Sequence, residues 1–266
     1  MIEQALSGKV AIVTGGAQGM GETTAKLFAR AGAEVAVVDL NEEAGRRVVE
    51  KIEAEGGRAT FIACDISRAE QVESMVAATV ATYGRLDCAV NNAAVANDNE
   101  PVAEFDEATY DRIMAVDLKG TFHCNKYQIR QLLAQGGGGS IVNVASIVGF
   151  RPNRNSPVYN AAKAGVWSLT QSAALDYGKY GIRVNCVAPG AIDTPMLQEG
   201  LRARRRDVDA YRRIMSNLHR IGEPDEVANA HLWLCSDASS YITGSVLHLD
   251  GGYVQTPPYE FPLLDD

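Results

Sequence analysis

Histidine is scarce in this chain of 266 residues: there are four, His123, His219, His231 and His248, and none stands in an HExxH or similar ligand spacing. That argues against a structural transition-metal centre. Cysteine is thin as well. The five residues Cys64, Cys88, Cys124, Cys186 and Cys235 are odd in number and far apart, mostly inside apolar strand or helix patterns. Such a set reads as buried, reduced thiols and excludes a disulfide framework. No apolar run approaches the length of a membrane span, and MIEQALSGKVAIVTGG lacks a basic-then-apolar leader. A cytoplasmic protein without a membrane partner is therefore expected. Basic residues are the minority charge, 25 against 33 acidic for a formal net charge of -8, which disfavours a general nucleic-acid surface.

What the chain does have is a large apolar fraction, 46%, enough to bury a core as a single domain over 1–266. KVAIVT, EVAVVDL, RATFIACD, LDCAVNN, GGGGSIVNVASIVG, IRVNCVAPG and SVLHLDGG read as seven strands. Helical patterns separate them, including one long helix from about 107 to 134 and another opening at Pro157. Strands apolar on both faces, alternating with helices, imply a doubly wound α/β fold: a parallel sheet of the Rossmann type, covered on both sides. Two segments stand apart. The polar stretch 191–218 follows the sixth strand, where an insertion is placed to cover a ligand site. The tail 253–266 is proline-rich and aromatic, suited to packing on its own domain or on a partner subunit.

The first strand runs into TGGAQGMG, where Gly15, Gly19 and Gly21 permit a tight turn, close approach of a phosphate group and close entry into a helix. Amides at that helix start offer donors and positive potential to a pyrophosphate. Asp39 ends the second strand at the spacing of a ribose-binding carboxylate. Its charge would repel the 2′-phosphate of NADP, and no arginine adjoins it, since positions 17, 18 and 40 are alanine, glutamine and leucine. NAD is the expected cofactor. Asp65, ending the third strand, suits either the adenine edge or a plain helix cap.

In SPVYNAAKAGVWSLT, Tyr159 and Lys163 lie four apart and share a helix face. An isolated pair of this kind is usually a surface tyrosine packed on a lysine stem. Ser146 stands thirteen residues earlier, closing the fifth strand, and that changes the reading. A phenol, whose ordinary pKa is about 10, is a poor base. A nearby ammonium and a cationic nicotinamide favour the phenolate, so that Tyr159 accepts the proton of a secondary alcohol as hydride leaves its carbon. Ser146 would hold the substrate oxygen, and Lys163 would also steady the nicotinamide ribose.

TGGAQGMG, NNAA at 91–94, Ser146, YNAAK at 159–163 and the Pro189–Gly190 pair followed by Thr194 together resemble the short-chain dehydrogenase/reductase family over nearly the whole chain. The resemblance implies strand order 3-2-1-4-5-6-7 and a homotetramer with a subunit contact through the helices near 107–134 and 158–177. It gives Asn91 the role of holding the cofactor side of the sheet, and Ile192 and Thr194 contacts to the nicotinamide carboxamide. The implied cofactor set is Gly15, Gln18, Gly19, Met20, Gly21, Asp39, Asp65, Ile66, Asn91, Ala93, Tyr159, Lys163, Pro189, Gly190, Ile192 and Thr194; the catalytic set is Ser146, Tyr159, Lys163 and Asp117. There is one departure. Where relatives carry an asparagine in NxxG, this chain reads DLKG, with Asp117 first. Asp117 lacks the amide donor, and near Lys163 its charge weakens the cationic field on Tyr159, so an altered pH profile is expected.

The expected reaction is reversible NAD-linked oxidation of a secondary alcohol, with a cyclic diol or sugar-related substrate as the refinement. A ketone reductase acting on an anionic substrate, or a non-catalytic cofactor-binding regulator, are the other readings. Arg202, Arg204, Arg205, Arg206, Arg212 and Arg213, with Arg151 and Arg154 after the fifth strand, are either solvated surface side chains or a means of steering an anionic alcohol.

Overall fold

Short runs of valine, isoleucine and alanine build the sheet: β1 Val10–Thr14, β2 Glu34–Asp39, β3 Arg58–Ala63, β4 Cys88–Asn91, β5 Gly139–Val144, β6 Ile182–Pro189 and β7 Val246–Leu249. The structure is a computed structural model and describes residues 4–95, 99–203 and 207–254. The seven strands lie in the order β3-β2-β1-β4-β5-β6-β7 and every pairing is parallel. This is the order implied by the family resemblance. Parallel strands demand crossovers, and the helices supply them on both faces: α1 Gly19–Arg30, α2 Glu42–Ala54, α3 Ala69–Tyr83, α4 Glu107–Ile113, α5 Thr121–Gln135, α6 Pro157–Tyr177 and α9 Pro224–Cys235. The two-residue alternation of strand side chains divides the core. Ala11 and Val13 of β1 pack with Phe28 of α1 and Ile52 of α2 on one face. Ile12 packs with Met75 of α3 and Leu132 of α5 on the other.

Two boundaries differ from the sequence reading. The helix expected over 107–134 is not uniform: α4 passes into a π-helical stretch, Met114–Gly120, before α5 begins. A wide turn of this kind re-aims the side chains it carries, Asp117 among them. β5 ends at Val144, so Ser146 lies two residues beyond the strand, capping a short 3₁₀ turn, Ile147–Gly149. The polar stretch 191–218 carries two helices, α7 Pro195–Ala203 and α8 Val208–Ile214. Arg204, Arg205, Arg206 and the tail from position 255 lie outside the described residues. Among the described residues, no helix is long and apolar enough to cross a membrane, no acidic, histidine and cysteine groups cluster as metal ligands, and all five cysteines are free and buried.

Beneath the carboxyl ends of β4 and β5 lies a buried amide network. The Asn143 carbonyl oxygen accepts from Asn91 and Asn125, each at 2.9 Å, while its own amide donates to Thr170 at 3.0 Å. Asn91 and Gln128 exchange two further bonds of 3.0 and 2.8 Å. Four elements, β4, β5, α5 and α6, are thus tied together directly under the site. Replacing Asn143 by alanine strands several buried donors and acceptors, each costing about 1–3 kcal/mol. The Asn143→Ala variant should therefore lose roughly 2–4 kcal/mol in a urea titration, and a wild-type midpoint and slope would refute the network's importance.

Candidate active site

At the centre of the sheet the chain order reverses between β1 and β4, opening a crevice at their carboxyl ends. The glycine loop fills one side of it. Gly15 and Gly19 take positive φ, +63° and +55°. A Cβ on Gly21 would sit 1.9 Å from the Gly15 carbonyl oxygen, and one on Gly15 would sit 2.8 Å from the Asn92 side-chain nitrogen. Only hydrogen fits at either position, and the loop lies folded on itself and on the end of β4. Gln18, the N-cap of α1, makes no side-chain capping bond, so the start of α1 relies on an acceptor from elsewhere. Asp39 is held rigidly: one carboxylate oxygen accepts from the Ala17 amide at 3.1 Å, the other from the Asn41 amide at 3.0 Å. Asp65 lines the crevice, but its Oδ1 accepts from the Ser67 amide and hydroxyl at 2.9 and 2.7 Å.

On the other side, α6 places Tyr159 and Lys163 one turn apart, with Pro157 setting the helix start. Lys163 is 2% exposed and Asp117 wholly buried, and their charged groups stand 3.5 Å apart. The Lys163 ammonium also donates to the Val144 carbonyl at 3.1 Å and lies 5.4 Å from the centre of the Tyr159 ring. Asp117 Oδ1 accepts from the Val95 amide at 2.8 Å, linking the pair to the segment after β4. Burial by itself pulls the Lys163 pKa down; the charges of Asp117 and then Tyr159 overcome that, and the net direction is upward. Its stabilising contribution is thus full below the ordinary lysine value of 10.5 and declines only as pH climbs past it. Lys163 is a cation throughout the neutral range.

Ser146 is extended, and its hydroxyl accepts from the Val148 amide at 3.4 Å. Gly149 packs that turn against α6: a Cβ there would come within 2.8 Å of the Ala164 nitrogen. Thr194 caps α7, accepting from the Leu197 amide and donating to the Ile192 carbonyl, both at 3.3 Å. The cleft enclosed by these groups has a volume of about 1020 Å³, at the top of the range for small-molecule and cofactor sites.

Of the residues singled out from sequence, Gly15, Gln18, Gly19, Met20, Asp39, Asp65, Ile66, Ala93, Ser146, Tyr159, Lys163, Pro189, Gly190, Ile192 and Thr194 line this one cleft. Gly21, Asn91 and Asp117 stand behind it. Gly21 belongs under the loop, Asn91 spends its amide on Gln128 and Asn143, and Asp117 is screened by Lys163. The neighbour Asn92 is the asparagine that faces the cleft. Its Nδ2 donates to the Thr14 and Gly15 carbonyls at 3.1 and 3.2 Å, and its buried Oδ1 has no hydrogen-bond partner among the described residues. Side-chain alternation past the strand end was the available signal: if Asn91 points into the protein, Asn92 points out of it. Cys64 also lines the cleft, but burial and the charge of Asp65 push its thiol up to about 12, which makes it a poor nucleophile.

A collapsed glycine loop, amides at a helix start without a side-chain cap, a fixed carboxylate and an orphaned buried amide oxygen give the donors, acceptors and shape of a dinucleotide site. The comparisons with known proteins agree. A family model described as enoyl-(acyl carrier protein) reductase matches residues 15–254. The 2,5-dichloro-2,5-cyclohexadiene-1,4-diol dehydrogenase of Sphingobium indicum is 46% identical over 93% of this chain and 98% of its own length. The cis-4-hydroxycyclohexanecarboxylate dehydrogenase of Sinomonas cyclohexanicum is 42% identical over 94% and 98%. Levodione reductase superposes with a TM-score of 0.90 at 33% identity, covering 95% of this chain and all of that one. Dehydrogenases of this family use nicotinamide cofactors. The protein is an oxidoreductase, and the chain belongs to the short-chain dehydrogenase/reductase family.

Proposed function

We propose that the protein oxidises a cyclic secondary alcohol reversibly to its ketone, with NAD as the cofactor. The observation that carries this reading is the meeting of Ser146, Tyr159 and a buried cationic Lys163 in the same cleft as the glycine loop. A bound nicotinamide supplies the two-electron acceptor and donor. The chain itself handles the proton. Tyr159 takes it from the alcohol and returns it to the developing alkoxide in reverse, Ser146 holds the same oxygen, and Lys163 lowers the cost of the phenolate through its field. Six-membered ring alcohols are the substrates named for two of the relatives. The apolar wall of Ile147, Val148, Ala191 and Met215 around Tyr159 suits such a ring.

The choice of NAD rests on Asp39. Its carboxylate is pinned at the cleft by two backbone amides and stands beside Leu40, with no arginine adjoining it. A 2′-phosphate there meets a fixed negative charge. We also propose a homotetramer; Tyr110, Phe122 and Leu133 on α4 and α5 and Leu175 on α6 leave large apolar side chains exposed for assembly to cover. Asp117 adjusts the chemistry from behind by cancelling part of the ammonium field that reaches Tyr159.

Four outcomes test this reading. In a panel of cyclohexanediols and hydroxycyclohexanecarboxylates followed by NADH absorbance, at least one compound should be oxidised. Tyr159→Phe should then lose about 10²–10⁴-fold in kcat while still binding NADH by fluorescence; near-normal turnover would end the proposal. Asp39→Ser should raise kcat/KM with NADP by roughly tenfold, equivalent to about 1.4 kcal/mol, and lower it with NAD, whereas an unmoved ratio would remove Asp39 from cofactor selection. Asp117→Asn keeps an acceptor for the Val95 amide and removes the counter-charge. It should therefore shift the rising limb of the kcat–pH profile to lower pH, and an unchanged profile would assign Asp117 to structure alone.

A further inference from the structure

The arginines near the site part company in the structure. Arg212 pairs with Asp209 at 3.1 Å on the surface of α8, and Arg202 donates to the Gln198 carbonyl within α7. Arg154 lines the cleft but is exposed. Arg151 differs from these. It is half-buried, lines the cleft, and is held on two sides by a single residue: its guanidinium lies 4.4 Å from the centre of the Tyr253 ring and donates to the Tyr253 carbonyl at 2.8 Å. That bond uses one of five N–H donors. Among the described residues no carboxylate is within ion-pair distance of it.

Its placement is tied to the chemistry. The Arg151 amide donates to the Ile147 carbonyl at 2.9 Å, so the arginine rides on the turn that Ser146 caps. Tyr253, which carries the guanidinium, belongs with Tyr159 to the apolar cluster around Ile147 and Val148. A ring resting on that cluster would present its hydroxyl to Ser146 and Tyr159 and a second substituent toward Arg151. A role confined to anchoring the turn at 250–254 is not needed, because that turn has its own ties. Asp250 accepts from the Gly252 and Val254 amides at 2.9 and 2.8 Å, and the Asn217 amide donates to the Gly251 carbonyl at 2.9 Å.

We infer that Arg151 is a specificity-determining residue that binds the carboxylate of the substrate, so that the preferred substrate is a ring alcohol bearing an acid group. This rests on the ring-alcohol reading above and names the class within it. A guanidinium pre-positioned by a ring face and a carbonyl gives up little rotamer freedom when it grips a carboxylate.

The decisive experiment is calorimetric titration, with and without NAD, using cyclohexanecarboxylate as the charged probe and cyclohexanecarboxamide as its neutral counterpart. Wild-type protein should bind the carboxylate roughly 10- to 100-fold more tightly than the amide, and Arg151→Gln should erase that difference, with Arg151→Lys restoring part of it. In turnover, the KM of Arg151→Gln should rise more for cis-4-hydroxycyclohexanecarboxylate than for cyclohexane-1,4-diol, with kcat the lesser change. Equal affinity of wild type for the two probes, or equal losses for both in Arg151→Gln, overturns the inference. The comparison on wild type requires no folded variant. Absence of any ring-alcohol oxidation would fell the proposed function, while the titration would still decide whether Arg151 recognises the carboxylate.

Discussion

A charged ammonium enclosed in protein is the constraint around which this site is arranged. Taking Lys163 out of water costs several kcal/mol that must be recovered locally, and three groups from three elements do so. The Val144 carbonyl comes from the end of β5, Asp117 from the π-helical stretch, and Tyr159 from the preceding turn of α6. Each is needed within a few ångströms, so the electrostatic requirement also fixes the relative placement of β5, α6 and the helix packed beside them. The second oxygen of Asp117 carries the arrangement one step further, to the Val95 amide at the rim of the cleft.

The consequence is a site whose charge is partly cancelled from within. A lone buried ammonium would be the strongest aid to a neighbouring phenolate, but it would itself be driven toward the neutral amine by desolvation. Asp117 prevents that loss and at the same time dilutes the field. The net upward direction at Lys163 shows which effect wins at the lysine: the cation is secure, and what it offers Tyr159 is a smaller field that does not vanish with moderate changes in pH. The amide network of Asn91, Asn125, Gln128 and Asn143 gives the same end of the sheet a neutral, fully bonded floor. The polar groups beneath the site therefore add rigidity without adding charge.

Much of this could be read in the sequence, for identifiable reasons. The parallel sheet followed from apolar runs alternating with helices, its strand order from the family resemblance, and the glycine loop from its position after β1. Asp117 stood out because it replaces the family's asparagine, its charge made Lys163 a conceivable partner, and the structure puts the two 3.5 Å apart. Other features depend on geometry that composition does not carry. A π-helical stretch inside 107–134 leaves no mark in apolar periodicity, because it shifts the register of a helix without changing its residue types. Asn91 and Asn92 are the same residue type in adjacent positions, and only the strand's alternation separates a network member from a cleft residue. The position of Ser146 shifted by two residues because the apolar run VNVASIV continues past the last ladder bond of β5.

The arginines illustrate the limit most clearly. Eight were candidates by proximity in sequence, and charge gives no means of ranking them. What separates Arg151 is the partner surface: Tyr253 is more than a hundred positions away and reaches it only because β7 lies beside β6 at the same end of the sheet. Substrate discrimination in a fold of this type has to come from such contacts. In the proposed reaction the serine, tyrosine and lysine serve a single oxygen and its proton and see little of the remainder of the molecule. The distinction between a neutral and an acidic ring therefore falls to side chains beyond β5, β6 and β7, where a cation on a rigid turn is worth most when the carboxylate it meets is taken out of water with it.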